Sequence, residues 1–145
     1  MPVTDDQVAA MRAHLALRPE EFKPLHERLI KTGDTAGYGA LVHGAFVSAV
    51  RRRFAPMWTV SDVVRFVAAA RASLREADID IDPGTSEVLI RRALGEEVPV
   101  ELDTETISRA QIFLLSELIF DEGLDAARLD EFLVDARKWA DQLID

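Results

Sequence analysis

Apolar residues recur at helical spacing along most of the chain, and they divide it into seven helical segments with no strand pattern. The first opens at Thr4, where Thr4 and Gln7 have the spacing of a capping box and Val8, Met11 and Leu15 form an apolar stripe. Pro19 disfavours helix at the residue before it, so this segment is expected to end near Arg18. The second covers about 19–32, with Phe22, Leu25, Leu29 and Ile30 on one face and Gly33 as its stop. Pro24 has no N–H for the carbonyl of Glu20, which predicts a kink or a restart.

The third segment, about 35–53, carries no charge from Thr35 to Val50. A helix without a polar face has to be surrounded, so this one is expected to be the central element. Thr59 and Asp62 make a second capping pair, and Trp58 and Val63 have the spacing of a hydrophobic staple. Val63, Phe66, Val67, Ala70 and Leu74 then form a buried stripe. The fifth segment is short, with Asp82 as cap, Pro83 in the first turn and Gly95 as stop.

A linker of roughly eight residues follows, long for a helical domain. The sixth segment runs from Asp103 or Thr104 to Phe120. The seventh runs from Asp125 to the end and buries Leu129, Phe132, Leu133, Ala136, Ala140 and Leu143. The pattern predicts an all-α fold: a compact single-domain bundle of about seven helices. Its uncharged central helix is about 35–53, and a C-terminal helical hairpin, about 103–145, docks on a core of residues 1–95.

Composition narrows the chemistry. With no cysteine among 145 residues, disulfides, thiolate zinc sites and a cysteine nucleophile are excluded. The longest uncharged run is shorter than the ~20 residues that span a bilayer, and two acids stand where a signal peptide would place lysines. A cytoplasmic protein without membrane association is expected. Fourteen arginines against three lysines suggest a GC-rich bacterial genome.

The net charge of −9 is uneven: residues 101–145 hold 12 acidic and 4 basic side chains. An acidic C-terminal region disfavours nucleic acid and fits either a basic partner or a plain solvated face.

Several strings approach known chemistry and then depart from it. Asp78, Asp80 and Asp82 imitate the start of a calcium loop, but Pro83 and Leu89 stand where glycine and glutamate are needed. Gly37, Gly39 and Gly44 lack the dinucleotide spacing, and Gly39 and Gly44 are read as points of close helix approach. His43, on the apolar third segment, is expected to be either a satisfied core histidine or a pocket residue beside Tyr38, Phe46, Trp58 and Phe66. Arg51, Arg52 and Arg53 form a candidate anion contact. No catalytic, cofactor-binding or metal-ligating set can be assigned.

On the sixth segment, Ile107, Ala110, Leu114 and Leu118 share one face, widened by Leu115, Ile119 and Ile112. Phe113 and Phe120 fall on the other side with Glu117 between them. Two phenylalanines on a polar flank need cover from the same chain, or they belong to an interface. The function expected from these features is a non-enzymatic helical interaction module, of adaptor, regulator or inhibitor type, with a protein partner or a second copy as its ligand. The alternative is a small-molecule-binding helical domain with its pocket near Tyr38, His43 and Trp58.

Overall fold

Most helices begin where a short polar side chain can take one of the N–H groups that a first helical turn leaves free. In the computed structural model, which describes residues 3–33 and 35–144, Thr4 accepts from the Gln7 N–H at 3.2 Å and opens α1 (Asp5–Leu15). The Gln7 amide oxygen accepts the Thr4 N–H in return, at 2.9 Å. Helix α2 (Pro19–Thr32) has no side-chain cap and starts on a proline, which needs none at that position. It runs through Pro24 without a restart, because the bond lost there belongs to the carbonyl of Glu20, a solvent-exposed residue.

Helix α3 (Thr35–Phe54) is the longest. The pair Thr59 and Asp62 caps α4 (Val60–Arg75), and Asp82 caps α5 (Pro83–Ala93) through the Thr85 N–H at 2.8 Å. Asp103 accepts the Thr106 N–H at 2.7 Å at the start of α6 (Thr104–Glu122). Asp125 accepts the Arg128 N–H at 2.8 Å before α7 (Ala126–Ile144). The protein is all-α: no strand occurs among the described residues, and none of its helices is long and apolar enough to cross a membrane.

The chain forms two compact units, one of Met1–Ala45 with Ile119–Asp145 and the other of Phe46–Leu118, so the change from one to the other falls inside α3 and inside α6. In the first unit α1 packs against α2 and α7. Met11, Leu41, Phe132 and Leu133 are buried there. Gly44 sets how closely α3 meets α7: a Cβ on it would stand 3.1 Å from the Ala136 carbonyl oxygen and 3.3 Å from the Ala140 nitrogen. Gly37 gives room to the buried Gln7 amide, whose Nε2 and Oε1 would each lie 2.7 Å from an added Cβ. Gly39 has open space around it, so the close approaches belong to Gly37 and Gly44 and not, as the spacing suggested, to Gly39.

The N-terminal segment is tied to α7 at both of its backbone groups. The N–H of buried Val3 donates to Asp141 at 2.6 Å, and its carbonyl accepts from Arg137 at 2.6 Å. Arg137 also pairs with Asp5 at 2.7 Å.

In the second unit α4 packs on α5, with Val63, Ile90 and Leu114 buried, and Phe54 meets Phe66 edge-on at 5.8 Å between centroids. The non-helical stretch 96–103 is held by side chains of α5. Arg91 grips Glu96 with two bonds, at 2.8 and 2.5 Å. Arg92 donates to the carbonyls of Val98 and Val100.

Candidate functional site

Between Leu15, the last residue of α1, and Pro19, the first of α2, the chain has only Ala16, Leu17 and Arg18 with which to turn. A tight helix end needs one residue in the left-handed region, where glycine is at ease. None is present, and Leu17 takes the place with φ 57°. The Arg18 N–H reaches back to the Ala13 carbonyl at 2.9 Å and the Leu17 N–H to that of His14 at 3.2 Å, the two bonds of a Schellman turn. This closes α1 at Leu15, ahead of the Arg18 end read from the sequence. The corresponding left-handed places after α2, α5 and α6 are held by Gly33, Gly95 and Gly123. A leucine in this conformation costs roughly 1–2 kcal/mol relative to the right-handed region.

The turn leaves the Leu17 side chain 68% exposed, and within the same unit Phe120, in the last turn of α6, is 70% exposed. Both border one open groove of about 400 Å³. Its floor is apolar, from the buried side chains of Leu15, Ile119 and Leu129, and Leu124 adds to its wall. Polar groups stand at its rim: Arg12 pairs with Asp130 at 2.6 Å, Arg18 with Glu21 at 3.4 Å, and Asp125 caps α7. The carboxylates facing both arginines are more than half exposed, so these pairs are weak and exchangeable. Leu17 also lines a second shallow groove with His14, Pro19 and Phe22, where the Phe22 ring lies between His14 and His26 at centroid distances of 5.5 and 5.1 Å.

Leu17 carries no motif. The signal in the sequence was indirect: a helix end forced before Pro19 with neither glycine nor asparagine available to make it.

The two phenylalanines of α6 have different surroundings. Arg109, one turn before Phe113, lays its guanidinium 5.1 Å from that ring's centroid, and Phe113 and Glu117 are half-buried in the second unit. Phe120 lies at the groove of the first.

The residues grouped near His43 divide in the same way. His43 is exposed, which corrects the expectation of an apolar helix surrounded on every side: with Gly39 one turn earlier it leaves a strip of α3 open to water. Partial burial of its ring lowers its pKa from the ordinary histidine value. Tyr38, partly buried in the same unit, has its phenol pushed up to about 12 by burial and is neutral at pH 7. Phe46 and Phe66 are packed in the core of the second unit, and Trp58 is half-buried there.

The arginines of the second unit are engaged with their own chain. Arg51 donates to the Ala93 carbonyl at 3.1 Å, and Arg53 lies over the Phe66 ring at 5.3 Å. Arg71 donates to the Ile81 carbonyl at 3.1 Å. Arg51 and Arg53 therefore spend part of their donor or π-facing capacity inside the fold, and Arg52 is exposed beside them.

In the aspartate string, Ile81 is buried and Asp82 is used as a cap, the Thr85 N–H holding its carboxyl below the usual carboxylate range. Among the described residues no three histidine, aspartate or glutamate side chains gather as metal ligands.

One further apolar surface lies in the second unit, where Met57 is 88% exposed and Val60 and Val64 follow at helical spacing on the first turns of α4. No family model matches this chain, no curated protein matches its sequence, and no solved structure matches its fold.

Proposed function

We propose that this chain is a non-enzymatic helical interaction module whose recognition surface is the groove between Leu17 and Phe120. The observation that carries the reading is Leu17 itself. The Schellman turn needs no side chain at that position, and glycine would make it without strain. The chain instead holds a leucine there in a costly conformation and directs it to solvent. Strain kept at an exposed apolar residue is a reason to look for a binding role at that residue.

Apolar floor, two protruding apolar walls and a charged rim are the parts of an interface core and its border. The groove's volume of about 400 Å³ suits one or two large side chains presented by a helix.

The test is a photo-crosslinking amino acid placed at Phe120 and, as a control, at the exposed Lys23. A discrete protein adduct from position 120, absent from position 23 and lost on adding Leu17→Asp with helicity unchanged, is the expected result. Equal or diffuse labelling from both positions would sink the proposal.

A further inference from the structure

The helices differ in how much of themselves they bury. Five of the 16 residues of α4 are fully buried, and five of the 11 in each of α1 and α5. In α2, with 14 residues, only Leu29 is. Phe22, Leu25 and His26 are half-buried, and Ile30 is 57% exposed. A helix of this length is marginal in water by itself, so its persistence depends on the apolar surface it buries.

The ion pair across the α1–α2 boundary adds little. Arg28 reaches Asp6 at 3.6 Å with both side chains more than half exposed, and water competes for such a pair. The Phe22 ring meets His14 of α1 at 5.5 Å but lies nearer to His26 of its own helix, at 5.1 Å. Pro24 removes one hydrogen bond from the interior of α2. At the C-terminal end the bonds turn back on the helix, the Thr32 hydroxyl donating to the Arg28 carbonyl at 3.0 Å and the Gly33 N–H to that of Ile30 at 3.2 Å. The chain enters α2 through the left-handed Leu17 and leaves through the left-handed Gly33.

We infer that α2 is a lid on α1 that releases and unwinds by itself while the other helices stay closed. Leu29 is its one anchor, and release uncovers Ala13, buried in the closed state at the shallow groove that Phe22 and Pro19 also line. Segments with few buried apolar groups open at the low end of the free-energy range within a fold, and moving lids are drawn from that end. The inference stands apart from the reading of the Leu17–Phe120 groove, because it rests on the burial and bonding of α2.

Native-state hydrogen exchange, followed residue by residue over urea concentrations below the unfolding midpoint, tests it. The amides of residues 23–32 are expected to be protected without urea. They should nevertheless exchange at least ~10-fold faster than those of α1 and α4, through an opening with a weaker urea dependence. Leu29→Ala should raise their exchange by a further ~10-fold or more, or abolish their protection, and leave α4 unchanged. Ile30→Ala, next to it and exposed, should change them little. Exchange of α2 with the same free energy and urea dependence as α1 would overturn the inference, because the two would then open as one unit. So would amides of α2 that are unprotected without urea, since no closed lid would exist, and so would a Leu29→Ala chain that loses protection equally in α1 and α2.

Discussion

The turn after α1 and the turn after α5 have the same backbone and opposite uses. Both are Schellman ends: Arg18 reaches back to Ala13 in one, and Glu96 to Arg91 in the other, at 2.9 and 3.1 Å. After α5 the left-handed residue is Gly95, and the side chains around it work on the chain itself, with Arg91 on Glu96 and Arg92 on the Val98 and Val100 carbonyls. After α1 the left-handed residue is Leu17, exposed, and the nearest arginine makes a single long contact with an exposed glutamate. One turn closes a structure; the other holds an apolar side chain out to solvent. On the function proposed above, the difference separates residues that serve stability from residues that serve recognition.

The largest expected effect lies at the closing turn. Arg92→Ala removes charge-assisted bonds to two backbone carbonyls, each bond of this kind contributing about 1.5–3 kcal/mol when well enclosed and less where solvent competes. We expect a loss of roughly 1–3 kcal/mol in urea unfolding and faster amide exchange across residues 96–103. An unchanged midpoint together with unchanged exchange would show that the stretch 96–103 is held by something other than Arg92.

The next effect sets the two turns against each other directly. Leu17→Gly relieves the left-handed strain but makes the unfolded chain more flexible, for a net gain of about 0.5–1 kcal/mol. Gly95→Leu runs the same exchange backwards and should lose about as much, because nothing stands within 4 Å of the Cβ it would add. Thermal melts of the pair should therefore shift in opposite directions. If Leu17→Gly destabilises instead, the leucine is a packing residue and the contrast between the turns collapses.

How much of this was legible in the sequence follows from the range of each interaction. The N-caps at Thr4 and Thr59 depend on a partner three positions on and Asp82 is marked by the Pro83 that follows it, and these local signals located all three. Asp103 and Asp125 were legible only as places where helices begin, and their capping bonds emerge in the fold. The buried faces of α6 and α7 were legible for the same reason: Ala110, Leu114 and Leu118, or Leu129, Phe132 and Ala136, repeat at helical intervals. What was missed depends on contacts remote in the chain. Nothing near Val3 points to Asp141, 138 positions away, and nothing near Gly44 points to the backbone of Ala136.

The two phenylalanines of α6 looked alike on a helical wheel. One turn before Phe113 stands Arg109, long enough to cover its ring. One turn before Phe120 stands Ser116, whose hydroxyl donates to the Ile112 carbonyl of its own helix at 3.1 Å. Half of the candidate site, Phe120, was therefore visible as an aromatic on a polar flank. The other half, Leu17, could be found only by asking which residue has to turn the chain.

The smallest expected effect on stability is at Arg18, and it discriminates most sharply between structure and recognition. Its side chain makes one ion pair, at 3.4 Å, with both partners more than half exposed, so Arg18→Ala should change stability by no more than about 0.5 kcal/mol. Arg92→Ala, the same chemical change at the closing turn, is expected to cost several times that. Crosslinking from position 120 should respond in the opposite order, with Arg18→Ala weakening it several-fold and Arg92→Ala leaving it unchanged, because Arg18 lines the groove and Arg92 is bound to the stretch 96–103 of its own chain. Measuring both variants by urea unfolding and by crosslinking yield from position 120 gives four numbers. If Arg18 matters to stability as much as Arg92 does, the turn after α1 is another structural closure and its exposed leucine loses its claim to a function.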